Sequence, residues 1–126
     1  MIDHLFITVS NLTKSERFYR KALASIGYTA APRFTLPSKA KGVGFGPEGD
    51  RDFYTIQGPK VVTKNHVAFR VSRRKQVDAF YRAALAAGGT DNGGPGFTPE
   101  HGPNYYSAYV LDPDGHNIEV VCWAKR

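Results

Sequence analysis

The chain has 126 residues, of which 41% are hydrophobic and 22% charged, a composition ordinary for one globular domain with a core. No segment approaches the roughly 18 apolar residues that cross a bilayer, and no secretory signal is evident, so we expect neither membrane insertion nor export. The formal charge of +6 is dispersed apart from the basic run 73–75, which argues against nucleic-acid binding. A cationic pocket for an acidic small molecule and solvated turns fit that charge equally well. The single cysteine, Cys122, suits a reducing cytoplasm.

An internal repeat dominates the sequence. Residues 4–27 lie over residues 66–89 without a gap, and ten positions agree. Two copies of one unit imply a pseudo-twofold axis, which would bring two equivalent strands together and direct their histidines, His4 and His66, toward one point. The agreeing positions are His4/His66, Val9/Val71, Ser10/Ser72, Phe18/Phe80, Tyr19/Tyr81, Arg20/Arg82, Ala22/Ala84, Leu23/Leu85, Ala24/Ala86 and Gly27/Gly89.

Each copy begins with a strand and continues with a helix. Apolar residues alternate along 4–9 and 66–71, with the histidine on the opposite face. Thr13-x-x-Glu16 predicts a capping box at the start of the first helix, and Gly27 and Gly88 predict the helix ends. Shorter strands are predicted at 28–34, 43–45 and 52–57 in the first copy. The second copy predicts them near Thr90 and at 105–111 and 117–123.

The order of elements predicts an α+β fold. Paired βαβββ modules would form a curved, barrel-like mixed sheet around a central cavity, within a single domain over residues 1–126. Module one covers about 1–58 and module two about 63–124. Two long polar loops, 35–42 and 92–103, are candidate binding elements near the concave face.

A carboxylate in the last strand completes a candidate metal site. Asp112-Pro113-Asp114-Gly115 predicts a turn, and Glu119 follows it between two apolar residues. Taken alone, Glu119 fits an exposed edge position; together with His4 and His66 it forms a two-histidine, one-carboxylate set. That set suits Fe, Mn, Zn or Ni and leaves coordination positions open.

The chain resembles the vicinal oxygen chelate superfamily, which includes glyoxalases, extradiol dioxygenases, fosfomycin-resistance transferases and bleomycin-binding proteins. The resemblance rests on the two histidine-led strands, on residues 18–23, and above all on residues 111–119. It implies a divalent metal held by His4, His66 and Glu119. It also implies a small substrate whose two neighbouring oxygens chelate that metal.

The resemblance assigns roles to further residues. Tyr109 and His101 are the candidate catalytic groups that move a proton, and Arg70, Tyr54 and Tyr105 are candidate substrate-binding residues. A three- or five-residue turn would put Tyr109 on the face of Glu119, and a four-residue turn would put it on the other face.

A fourth ligand would have to come from the last strand of module one, as in lactoylglutathione lyases. Gln57 precedes Glu119 by the same interval that separates His4 from His66, but Gly58-Pro59 follows it at once. A four-ligand glyoxalase site is therefore not favoured.

Two classes of function follow. The first is a metal-dependent enzyme of the lyase, isomerase, dioxygenase or thiol-transferase type, expected in the cytoplasm. The second is a metal-free small-molecule binding protein of the bleomycin-resistance type, which sequesters an antibiotic in a groove between two chains. The candidate ligand set favours the first class. A homodimer is expected in either case.

Overall fold

Two copies of one βαβββ pattern make up the protein, as predicted. The computed structural model describes residues 1–61 and 63–126. Module one has β1 (Leu5–Val9), α1 (Leu12–Ala24), β2 (Thr29–Ala30), β3 (Phe34–Thr35), β4 (Lys41–Gly46) and β5 (Phe53–Gln57). Module two has β6 (His66–Val71), α2 (Arg74–Ala86), β7 (Thr90–Asp91), β8 (Gly96–Phe97), a 3-10 helix (Pro99–His101), β9 (Tyr106–Leu111) and β10 (Asn117–Cys122). Of the helices in the described ranges, none is long and apolar enough to traverse a bilayer.

Each module forms its own curved five-stranded sheet. The strand order is β1-β5-β4-β2 with β3 on β4, and β6-β10-β9-β7 with β8 on β9. The α+β prediction is confirmed, but the sheets remain two and do not close into a barrel. The predicted strand 28–34 is wrong, since two short strands replace it. Pro32, which lacks an N–H, lies between them.

The start of α1 corrects the predicted capping box. The helix begins at Leu12, and the side chain of Asn11 accepts a hydrogen bond of 3.0 Å from the Lys14 N–H. Glu16 instead forms ion pairs with Arg20 and Arg33, at 2.9 and 2.8 Å. Although burial raises the pKa of Glu16, hydrogen bonds from these two arginines lower it overall. Asparagine caps a helix as well as threonine does, and here the cap lies earlier in the chain than predicted.

One apolar core joins the two modules. The aromatic residues Phe18, Tyr19 and Phe80 of the helices are fully buried, whereas Tyr81 is only partly buried, and α1 packs against α2. A Cβ at Gly89 would lie 2.7 Å from Phe18 and 2.4 Å from Val110, so the end of α2 must be glycine for the helices and sheet to approach this closely. Because the core occupies one face of each sheet, the opposite faces are left for ligands.

The two histidine-bearing strands belong to different sheets and run in opposite directions along a crevice between them. Asp3 and Leu5 at the start of β1 line one crevice with Phe69 and Arg70 at the end of β6. At the other end, the Thr8 carbonyl lies 2.8 Å from Nε2 of His116. The first residue of β6 therefore lies beside the end of β1, and not beside its beginning.

Candidate metal and substrate site

His66 and Glu119 meet on the free face of the second sheet. Strands β6 and β10 are parallel, with Ala68 opposite Glu119, and this register brings Nε2 of His66 to 3.1 Å from Oε1 of Glu119. Glu119 is only 2% exposed. Among the described residues, its ion-pair partner is this imidazole and not a lysine or arginine. A buried carboxylate so placed requires a cation close by.

The hydrogen bonds of the imidazole fit a metal ligand. Nδ1 of His66 lies 3.0 Å from the carbonyl oxygen of Asn117; because a carbonyl only accepts, Nδ1 carries a hydrogen, and in the neutral ring Nε2 presents its lone pair to Glu119. In that neutral form two acceptors face each other, and either a metal cation or a second proton on the ring has to lie between them. Two ligands bound at right angles, each about 2.1 Å from an octahedral cation, lie about 3.0 Å apart, which agrees with the observed separation.

Tyr105 holds the second oxygen of the carboxylate. Its hydroxyl donates to Oε2 of Glu119, and burial, followed by the effect of Glu119, raises the pKa of Tyr105 above its usual value. The phenol therefore stays protonated at neutral pH and remains a donor. Its ring packs against His101 and Trp123 at centroid distances of 4.9 and 4.8 Å. His101, predicted to be catalytic, lies on the 3-10 helix, where its ring contacts the ring of Tyr105.

Tyr109 lies on the same face as Glu119. Residues 112–116 form a five-residue connection, so Asn117 pairs with Leu111 and Glu119 with Tyr109. Five is one of the two connection lengths for which the sequence places Tyr109 on the face of Glu119. The tyrosine ring stacks on His66 with centroids 6.3 Å apart and planes 24° from parallel. The phenol is therefore beside the His66–Glu119 pair, where a proton-moving group would have to be.

Two polar atoms on this face have no protein partner. Ser107 shares the face of Tyr109 by strand alternation and is 2% exposed, yet its Oγ makes no hydrogen bond in the described structure. Oδ1 of Asn117, opposite His66 in the register, is equally unpartnered among the described residues. Buried polar groups normally have partners, so both atoms are available to a ligand. Sequence interpretation missed them, although the alternation that starts at Tyr109 would have indicated Ser107.

His4 lies on the free face of the other sheet. Its ring packs edge-on against Tyr54 at 5.8 Å, and its Nδ1 lies 2.6 Å from a carboxylate oxygen of Asp3. Because β1 and β6 run in opposite directions, the stretch of strand from His4 to Thr8 separates the two histidines by about 13 Å. One chain therefore brings together His66 and Glu119 but not His4, whose role as a ligand remains a prediction.

The register of the first sheet shows which residue corresponds to Glu119. Glu119 pairs with Ala68, and its counterpart in module one is the residue opposite Phe6, namely Tyr54. A fourth carboxylate or amide ligand is thus replaced by a phenol. Arg70 lies in the crevice that Asp3 also lines, further along β6 than Ala68. The substrate-binding roles of Arg70 and Tyr54 remain predictions.

Asp112, Asp114 and His116 form a candidate cluster of metal-ligating groups, with one ligand atom of each within 4.8 Å of the others. Hydrogen bonds already engage these atoms, however. The imidazole of His116 accepts from the Asn65 N–H and reaches the Thr8 carbonyl, at 2.9 and 2.8 Å. Asp114 accepts from the Ser10 backbone and hydroxyl. The cluster therefore braces the two modules against each other.

Gln57 also has a structural role. Its Oε1 accepts from the Leu12 N–H at 2.7 Å, and its Nε2 donates to the carbonyls of Ser10 and Gly58. We expect Gln57→Ala to lower the free energy of unfolding by about 1–2 kcal/mol, since it leaves helix-start groups without partners. Mn(II) affinity should not change. Urea unfolding and metal titration of the variant measure the two quantities; lost metal binding with unchanged stability would instead make Gln57 a ligand.

Comparisons with known proteins identify the family and the fold of the chain. The family model of the Glyoxalase/Bleomycin resistance protein/Dioxygenase superfamily matches residues 27–120. Metallothiol transferase FosB of Shouchella clausii is 29% identical over 124 residues, 94% of this chain and 77% of the relative. A glyoxalase/bleomycin resistance protein from Albidiferax ferrireducens has a TM-score of 0.74 at 26% identity, covering 95% and 96% of the two chains. FosX of Listeria monocytogenes, a fosfomycin resistance protein solved with Mn(II) and sulfate, has a TM-score of 0.68 at 19% identity, covering 97% and 91%.

The chain belongs to the glyoxalase/bleomycin resistance/dioxygenase superfamily, since the family model covers well over half of it. The resemblance inferred from the repeat and from residues 111–119 is thereby confirmed. The expectation of a divalent metal agrees with the relatives, which include a metallothiol transferase and an Mn(II) complex.

Proposed function

We propose that the protein is a divalent-metal-dependent enzyme that acts on a small molecule with two neighbouring oxygens. The observation that carries this proposal is the His66–Glu119 pair: a buried carboxylate oxygen and an imidazole nitrogen 3.1 Å apart. In a metal-free binding protein the buried carboxylate would have only a protonated imidazole to pair with, which offsets the cost of its burial less well than a divalent cation does. The same observation therefore counts against the antibiotic-sequestering alternative.

The third ligand is His4 of a second copy. Within one chain, the rise of β1 from His4 to Thr8, about 13 Å, keeps His4 away from His66. Asp3 engages Nδ1 of His4, and Nε2 makes no hydrogen bond within the described residues. In a symmetric homodimer, the first sheet of one copy would pack against the second sheet of the other copy, with the two free faces in contact. Each of two sites would then contain His4 from one copy with His66 and Glu119 from its partner.

Roles for the chain's own residues follow from their contacts. A bound cation would polarise the two substrate oxygens and stabilise negative charge as it develops. Tyr109, stacked on His66, would move a proton at the substrate oxygen nearest its hydroxyl. Tyr105 keeps Glu119 in place through its hydrogen bond. Since one relative is a metallothiol transferase, addition of a thiol to a chelated electrophile is the first reaction to assay.

Mixing two inactive variants tests the shared site. His4→Ala and Glu119→Ala should each lose Mn(II) binding. After the two are mixed and their subunits exchanged, half of the dimers are hybrids, and each hybrid keeps one intact site. We expect about a quarter of the wild-type Mn(II) sites to return, measured by electron paramagnetic resonance of bound and free Mn(II).

The mixed sample also distinguishes the competing arrangements. A site made within one chain gives no recovery, since every chain in the mixture lacks one ligand. Full Mn(II) binding by His4→Ala alone would remove His4 from the site. Light scattering that finds only a monomer of 13.9 kDa would contradict the dimer.

A further inference from the structure

We propose that the site selects a substrate with an apolar body beside its two neighbouring oxygens and with no more than one negative charge. This inference rests on the proposed function, because it assumes that the first sheet of one copy and the second sheet of its partner enclose the same metal. It adds the chemical class of the substrate, which the family alone does not give.

The first observation is an apolar groove beside His4. Besides the histidine, its wall consists of Phe6, Phe34, Leu36, Tyr54 and Ile56, and its volume is about 280 Å³. Phe6 is 65% exposed within one chain. A concave surface of this composition holds hydrocarbon better than water, and its position at a candidate metal ligand directs the apolar part of a chelated molecule into it.

Glycines on β4 make the groove. Strand alternation places Gly42 and Gly44 on the groove face, where the neighbouring side chains lean over them. A Cβ at Gly44 would lie 2.7 Å from the Tyr54 ring, and one at Gly42 would lie 2.7 Å from both Phe34 and Ile56. Any larger residue at these two positions would displace the aromatic wall. The strand sequence therefore keeps the space open.

The second observation is the charge of the opposite wall. Residues 83–124, which include β9 and β10, contain no lysine or arginine. Strand β6 contributes one arginine, Arg70, and it lies in a crevice that Asp3 and Asp52 also line. Recognition of a dianion such as a phosphonate ordinarily requires several cationic donors. The other groups available on this wall, the hydroxyl of Ser107 and Oδ1 of Asn117, are neutral.

Two catechols that differ only in an apolar group test the inference. Each is titrated into the Mn(II)-loaded dimer by calorimetry, beside methylphosphonate. We expect 4-tert-butylcatechol to bind about tenfold or more tighter than catechol, because its extra methyl groups enter the groove. Methylphosphonate should bind more weakly than either. Leu36→Ala should reduce the tert-butyl advantage at least threefold, and Leu36→Arg should also raise the affinity for methylphosphonate.

Controls distinguish this proposal from the proposed metal site on which it rests. Phe97→Ala removes an exposed aromatic that packs on Tyr106, outside the groove, and should preserve the tert-butyl advantage. If Mn(II) binds but the two catechols bind equally, or methylphosphonate binds tighter than both, the substrate class is wrong while the metal site stands. If the protein binds no Mn(II), both proposals fail.

Discussion

Glu119→Gln should lower Mn(II) affinity by at least about 100-fold, because loss of a direct ligand should exceed the roughly 10–100-fold cost of losing a supporting partner. Glutamine can still accept the hydrogen bond of Tyr105, so the site keeps its shape. In the absence of metal the variant should be no less stable than wild type, since it removes a buried carboxylate that no lysine or arginine among the described residues pairs with.

Thermal unfolding with and without Mn(II) measures both effects. At a metal concentration about 100 times the dissociation constant, binding stabilises the wild type by about 2.7 kcal/mol, and the variant should gain almost nothing. Glu100→Gln, an exposed change on the 3-10 helix, is the matched control and should respond to Mn(II) like the wild type. If Glu119→Gln keeps the full stabilisation, Glu119 is not a ligand.

The modules could be predicted from the sequence because their signals are local. The alternation along 4–9 recurs along 66–71, and the helical spacing around Phe18 recurs around Phe80. Each signal specifies one element and its buried face, and both helices and both leading strands form as predicted. The start of α1 was misplaced because Asn11 and Thr13 are both good caps and nothing local decides between them.

The site depends on register, which local patterns leave open. Whether Tyr109 faces the same side as Glu119 depends on the count of residues in the connection 112–116, and hydrogen bonds of Asp112 determine that count. One carboxylate oxygen of Asp112 accepts from the backbone of both Asp114 and His116.

The register of the first sheet could not be predicted from the sequence either, because the repeat does not determine it. The repeat in sequence aligns Gln57 with Glu119, but the parallel strand pairs of the two modules are not in the same register. Phe6 lies opposite Tyr54 in the first sheet, whereas its equivalent, Ala68, lies opposite Glu119 in the second. Tyr54, and not Gln57, therefore corresponds to Glu119 in space.

Sequence symmetry also left the distance between the histidines undetermined. A pseudo-twofold axis relates His4 to His66 but does not say how far each lies from the axis. The contact of the His116 imidazole with the Thr8 carbonyl and the hydrogen bond that Asp114 accepts from the Ser10 N–H fix that offset within one chain. The apolar alternation along 4–9 and 66–71 says nothing about the offset between the two histidines.

Asp112→Ala should be the most destabilising change in the loop that carries these contacts. Asp112 is 4% exposed, and its carboxylate accepts three hydrogen bonds, from the hydroxyl of the fully buried Tyr19 at 2.6 Å and from the N–H groups of Asp114 and His116 at 2.9 and 2.8 Å. Alanine leaves these donors unsatisfied, which should lower the free energy of unfolding by about 3–5 kcal/mol in urea. Asp114→Ala, which removes contacts to the exposed Ser10 alone, should cost about 1 kcal/mol.

The pH dependence of that loss has a definite sign. Burial raises the pKa of Asp112 above its ordinary value of 3.8, although its hydrogen bonds oppose the shift. The folded protein therefore binds this proton at a higher pH than the unfolded chain does, and the stabilisation from protonation is lost as the pH rises through the folded-state pKa. The difference in unfolding free energy between wild type and Asp112→Ala should accordingly widen as the pH falls from neutrality toward that ordinary value. A difference that narrows over this range would mean that the carboxylate is better solvated, or more strongly paired, than its burial beside Tyr19 indicates.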